Sequence, residues 1–441
     1  MKHPLFSIAE MKKSGRPAGI CSVCSANRYV IEAAMEAAMR YDSDVLIEAT
    51  ANQVNQFGGY TGMNPFDFKD YVSAIALKTG FPFDRIILGG DHLGPLAWEN
   101  EASASAMEKA AELIRQYVLS GFTKIHIDTS MLLGDDSPER KLDTGIIADR
   151  SAKLFFTAEQ AFIELRKDEP DALHPVYVIG SEVPIPGGSR ETEELEVTSA
   201  DDFRETISSF FTSLKNYGLD DVWKNIIAIV VQPGVEFGDD WIHDYSRDAA
   251  QELCASLRDF PNFCFEGHST DYQTAASLKM MIQDGISILK VGPALTYALR
   301  ESLFMLSQIE NELLAGAGST VLSRFPEVLE NAMLNNPENW LKHYHGSDEE
   351  NRLARRYSYS DRIRYYLSYP EVNHSVEQLV SNLKQMQIPL GMISQFMPIQ
   401  YRKIRNRLLQ NDVESLIKDS IINVLDDYYF AVMPQDKILL V

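Results

Sequence analysis

The segment RIILGGDHLGP, residues 85–95, opens as a β-branched apolar run and closes on an acid and an imidazole set between glycines. An apolar run of this length before Gly-Gly reads as a buried strand that stops at a turn. The same form recurs along the chain. The candidate strands are Ala18–Val23, Val45–Ala49, Arg85–Gly90, Lys124–Asp128, Pro175–Gly180, Ile226–Val231, Asn262–Glu266 and Ile286–Val291. Between them the apolar residues change to helical spacing, as in Met107, Ala110, Ala111, Ile114, Tyr117 and Val118, with Gly121 as a stop. Eight strands alternating with helices predict an α/β fold of the TIM (β/α)8 barrel type. An open doubly wound sheet is the alternative, but it would carry a Gly-rich turn after its first strand, and GICSVCSAN at 19–27 is not one.

After residue 300 the alternation stops. Residues 375–441 read as mostly helical, with Val413, Leu416, Ile417, Ile421, Val424, Leu425 and Tyr428 on one face. The expected organisation is a barrel over 1–300 and a helical C-terminal extension over 301–441, packed on the barrel or on a partner.

Composition narrows the function. The 441 residues hold 41 Lys and Arg against 63 Asp and Glu, a net charge of −22. That surface repels phosphate backbones, which argues against nucleic acid and anionic membranes as main partners. A small phosphorylated ligand in a local basic pocket is compatible with it. Four cysteines do not make a disulfide framework. Cys21 and Cys24 form a CxxC with no second close pair, so they read as small buried thiols rather than a zinc ribbon. The N-terminus lacks the apolar core of a signal peptide, and no apolar run approaches the ~18 residues of a membrane span. A soluble cytoplasmic protein is expected. No GxxxxGK[ST] is present, which disfavours a P-loop kinase.

Barrel enzymes place chemistry at the C-terminal ends of their strands. Here almost every strand from the second to the eighth ends in a polar group. Glu48 and Asn52 follow the second, Asp91 and His92 the third, and Asp128 the fourth. Glu182 follows the fifth, Gln232 the sixth, Glu266 and His268 the seventh, and Lys290 stands in the eighth. His92 and His268 are candidate ligands of a divalent metal, with Glu182 and Gln232 between them. Zn2+ is the expected ion. Asp91 is the candidate proton carrier, and Glu182 a second catalytic carboxylate. Glu48, Asn52, Asp128 and Lys290 are candidate substrate-binding groups. The backbone amides of the Gly-Gly pairs could cradle a phosphate. Arg362 and Arg364, in YSYSDRIR at 357–364, are a candidate phosphate clamp because guanidinium forks match phosphate oxygens. His126 lies two residues before Asp128 and faces the same side by alternation; it reads as a core residue.

These residues carry a family resemblance. GGDHLGP followed by KIHIDTS, EVPIPGG, EGHSTDYQ and ILKVGPALT resembles the class II, metal-dependent D-tagatose-1,6-bisphosphate aldolase system. The chain is most similar to its larger, non-catalytic "Z" subunit family, whose pattern SVCSANRYVIEAA, IEATANQVNQFGGYTGM and YSYSDRIRYY also fit. The resemblance implies a barrel of the class II aldolase type, with Asp91 as proton shuttle and His92 and His268 as metal ligands. The catalytic aldolases have a third histidine near strand six. Here that region reads VVQPGVEFG, and Gln232 stands nearest. The resemblance therefore implies an accessory subunit that supports the activity and stability of the catalytic subunit in galactitol or N-acetylgalactosamine catabolism, with a phosphorylated ketohexose as ligand. Homo-oligomers are compatible with this role. Relatives that resemble ketose 6-phosphate 4-epimerases supply the alternative: a metal-dependent enzyme interconverting tagatose 6-phosphate and fructose 6-phosphate.

Overall fold

The structure, a computed structural model, describes residues 2–139, 142–183, 195–314 and 321–433. Eight parallel strands close into a barrel: β1 (Ile20–Cys24), β2 (Val45–Thr50), β3 (Ile86–Leu93), β4 (Lys124–Ile127), β5 (Val176–Ile179), β6 (Ile226–Val231), β7 (Cys264–Gly267) and β8 (Ile286–Val291). β1 pairs with both β2 and β8, which leaves no open edge. The eight expected strands are these eight. Their limits differ most at β3, which runs on through Asp91 and His92 to Leu93.

Alternation sorts the side chains. Ile47, Leu88, Ile125, Tyr177, Ile229, Phe265 and Leu289 point outward and pack under the helices. Leu46, Ile87, Val176, Val178, Ala228, Val230 and Ile288 point inward and form the lower barrel core. The N-terminal helix Phe6–Lys13 closes that end from below, through Leu5 and Ile8. Fully burying an aliphatic side chain of this kind contributes about 1.5–3 kcal/mol. Above this layer the interior turns polar. Ser22, Glu48, Lys124, His126, Glu266 and Lys290 point inward, and all are buried.

The outer helices start where the sequence supplies caps. Asn27 accepts from the Tyr29 N–H at the start of Arg28–Arg40, and Asn64 and Asp67 form a capping box on Pro65–Thr79. The last described helix, Val413–Val432, lies against Arg28–Arg40, Ala275–Gln283, Pro293–Leu314 and β1. It thus bridges the helices that flank the β1–β8 seam. Among the described residues no helix is long and apolar enough to cross a membrane.

Candidate metal centre

The upper barrel layer is a buried ion-pair network. Lys124 Nζ lies 2.7 Å from Glu48 Oε1 and 2.6 Å from Glu266 Oε2. Lys290 Nζ lies 2.7 Å from Glu48 Oε2 and 2.6 Å from Asp91 Oδ1. The Ser22 hydroxyl donates to Glu48 Oε1 at 2.7 Å. Gly89 makes room for this layer, since a Cβ there would stand 2.6 Å from Glu48 Cγ. Each buried charge thus has an opposite partner, as burial demands.

Asp91 and His92 are neighbours, and in a regular strand they would face opposite sides. The register between β3 and β4 shifts between Gly90 and Leu93, and His92 adopts φ 47°. This bulge turns both side chains into the barrel mouth. Left-handed backbone is uncommon for a non-glycine residue and concentrates at functional sites.

Three imidazoles meet there. The ring centroids of His92, His126 and His268 are 4.8–5.3 Å apart. One ligand atom from each of them and one Asp91 oxygen all lie within 4.8 Å of one another. Each ring has a nitrogen on a carboxylate: His92 Nδ1 on Asp128 at 2.8 Å, His126 Nδ1 on Asp91 at 3.0 Å, and His268 Nε2 on Glu266 at 3.0 Å. Carboxylate partners of this kind fix ring orientation in metal sites and make the ligands more basic. The Nε2 of His126 is buried and has no hydrogen-bond partner, which suits an atom reserved for an ion. Two ammonium groups face four carboxylates here, Glu48, Asp91, Asp128 and Glu266. A divalent cation among neutral imidazoles would cancel the difference.

The protonation pattern follows. Burial pushes His268 down to about 3, with the His92 charge adding to it. Burial also opposes charge on His92, but Asp91 and the Asp128 hydrogen bond outweigh it and raise that imidazole. Burial would raise Asp128, yet its hydrogen bond and attraction to His92 hold it at about 2. Asp91 likewise resists burial, because Lys290 and His92 keep its carboxyl well below the usual range.

A pocket of about 90 Å3 opens above the cluster, lined by Asn52, Asp91, His92, His268, Lys290 and Arg364 among others. It shares Cys24, Gln53, Tyr60, Pro293 and Arg364 with an adjoining chamber of about 470 Å3. The Arg364 guanidinium is held at this junction by the carbonyls of Ser360 and Asp361 and by the Tyr365 hydroxyl, at 2.5, 2.9 and 3.1 Å.

The structure therefore brings together His92, His268, Asp91, Asp128, Lys290 and Asn52, with Glu48 beneath them and Arg364 at the rim. Other expectations need correction. Gln232 does not reach the cluster: its side-chain oxygen accepts from the Gly234 and Val235 amides at 2.9 and 3.1 Å and caps the turn after β6. Glu182 is half-buried and stands outside the group of clustered ligand atoms. Arg362 is buried and lines neither chamber, so the two arginines do not form one clamp. Of EVPIPGG, residues 184–188 lie outside the described residues, including the Gly187–Gly188 pair. His126 is not a plain core residue but the third imidazole. The signal for it was its phase with Asp128. Lys124 carried no signal, because a lysine opening a strand ordinarily reads as exposed.

Known proteins match nearly all of this chain. A D-tagatose-1,6-bisphosphate aldolase subunit GatZ from Salmonella paratyphi B is 47% identical over 423 residues, 96% of this chain and 97% of that protein. A protein of the same name from Klebsiella pneumoniae is 47% identical over 420 residues, 95% and 97% of the two. The crystal structure of a probable tagatose 6 phosphate kinase from Sinorhizobium meliloti 1021 superposes with a TM-score of 0.85 at 43% identity, covering 94% of this chain and 100% of that one. The model of the family described as D-tagatose-1,6-bisphosphate aldolase subunit GatZ/KbaZ-like matches residues 5–433, and the chain belongs to that family.

Proposed function

We propose that this chain is the accessory subunit of a class II tagatose-1,6-bisphosphate aldolase, binding the catalytic subunit and sustaining its activity in galactitol or N-acetylgalactosamine catabolism. The observation that carries this reading is its match, over almost the full length, to relatives named as that subunit. Co-expression with a catalytic subunit should raise aldolase activity and lengthen its half-life at growth temperature. Unchanged activity and half-life would sink the reading.

The barrel mouth supports a second, compatible role: holding one divalent ion and a phosphorylated ketohexose. Imidazole donors with carboxylate partners favour Zn2+. A bound ion there would supply Lewis acidity toward a carbonyl or hydroxyl oxygen. His92, His126 and His268 would hold it. Asp91, kept ionised by Lys290, would accept a proton rather than donate one. Asn52, Lys290 and Arg364 offer donors to hydroxyl and phosphate oxygens. The 4-epimerase alternative uses these same groups, but the relatives' names do not favour it. Incubating the purified chain with tagatose 6-phosphate and Zn2+, Mn2+, Co2+ or Mg2+ separates the two: fructose 6-phosphate would establish the epimerase, and its absence leaves the accessory role.

A further inference from the structure

Lys290 occupies an unusual place. Cys24 Sγ and single oxygens of Glu48 and Asp91 all lie within 4.8 Å of one another, a second group able to hold a metal beside the imidazoles. Thiolate and carboxylate are each ligand types that Zn2+ accepts. The Lys290 ammonium stands in that group, 2.7 Å from Glu48 Oε2 and 2.6 Å from Asp91 Oδ1. We propose that Lys290 is a built-in cation that fills this second metal position, so that the pocket takes one divalent ion rather than two.

The charges support the exchange. An ammonium adds one positive charge between Glu48 and Asp91. A divalent ion with a Cys24 thiolate adds the same amount, because binding releases the thiol proton to solvent. The two arrangements are electrostatically equivalent, and Lys290 settles the choice. Cys24 also lines the pocket. The consequence for chemistry is that Asp91 keeps a fixed counter-ion on one side and the imidazole site on the other. This inference rests on the metal reading above only for the first ion; the second position stands on its own donors.

The test is cobalt binding, read by metal content and by the near-ultraviolet thiolate-to-cobalt band. The full-length wild type, dialysed against excess Co2+, should hold one ion per chain and show no thiolate band. Lys290→Met should hold two and gain the band, and adding Cys24→Ser should remove both the band and the extra ion. Two ions or a thiolate band in the wild type would overturn the proposal. So would a folded Lys290→Met, judged by circular dichroism, with no extra ion. Should Lys290→Met not fold, Lys290→Gln is read in the same way, with the same outcomes for and against. If the wild type binds none but Lys290→Met binds one with the band, the imidazole site fails while the role of Lys290 stands.

Discussion

At the residue scale the proposed centre depends on the carboxylates that hold its imidazoles. Asp128 orients His92 through a 2.8 Å contact with Nδ1. Replacing it by Asn keeps the shape but removes the charge, and removing such a partner weakens metal binding by about 10- to 100-fold. Isothermal titration of Asp128→Asn with Zn2+ should read a loss in that range. His126→Ala should lower affinity further, since it deletes a ring nitrogen that is buried and unpartnered. Gln232→Ala should leave Zn2+ affinity unchanged, because that side chain is occupied by two backbone amides. A large loss in Gln232→Ala together with none in His126→Ala would reverse the assignment.

At the element scale the N-terminal segment acts as a plug. His3 is buried beside it, its Nδ1 accepting from the Leu5 N–H at 3.2 Å. Burial, reinforced by His174, pushes His3 down to about 4 from an ordinary 6.5. Above pH 6.5 neither state binds the proton. Between about 6.5 and 4 the unfolded chain takes a proton that the folded chain refuses, so His3 costs stability as pH falls. The slope is at most about 1.4 kcal/mol per pH unit. Melting temperatures from pH 7.5 to 5 should therefore drop less steeply in His3→Asn than in wild type. Parallel curves would show that His3 does not titrate differently on folding. The bulge in β3 is the other element with a job: without its φ of 47° at His92, one of Asp91 and His92 would face the helices instead of the pocket.

At the scale of the whole molecule the C-terminal helix covers the outside of the closed barrel. The helix Val413–Val432 buries Leu416, Ile417, Ile421 and Leu425 against the helices beside β1. The sheet ends at Val291 and residue 300 lies inside the helix Pro293–Leu314, so we propose that the barrel and the helices after it fold as one unit. A chain ending at residue 412 should be insoluble or protease-sensitive. Leu425→Ala, fully buried in the native protein, should lose about 2–5 kcal/mol in urea unfolding. A soluble, cooperatively folding 1–412 fragment would disprove this dependence.

The sequence by itself determined the barrel, because strand and helix periods are local properties and eight alternations leave few ways to close a sheet. It also determined which end carries the polar groups, since those follow the apolar runs in the chain. It did not determine which polar groups meet. His126 takes the ligand place expected of Gln232 for tertiary reasons: strand register lifts the β4 imidazole level with His92 and His268, while a local turn takes up the amide. Asp91 and His92 share a face only because a bulge breaks alternation, and a bulge is set by pairing with β4. Lys124 and Lys290 become buried cations only once Glu48, Glu266 and Asp91 surround them from separate strands. Local chemistry wrote the scaffold; contacts between residues far apart in the chain decided the site.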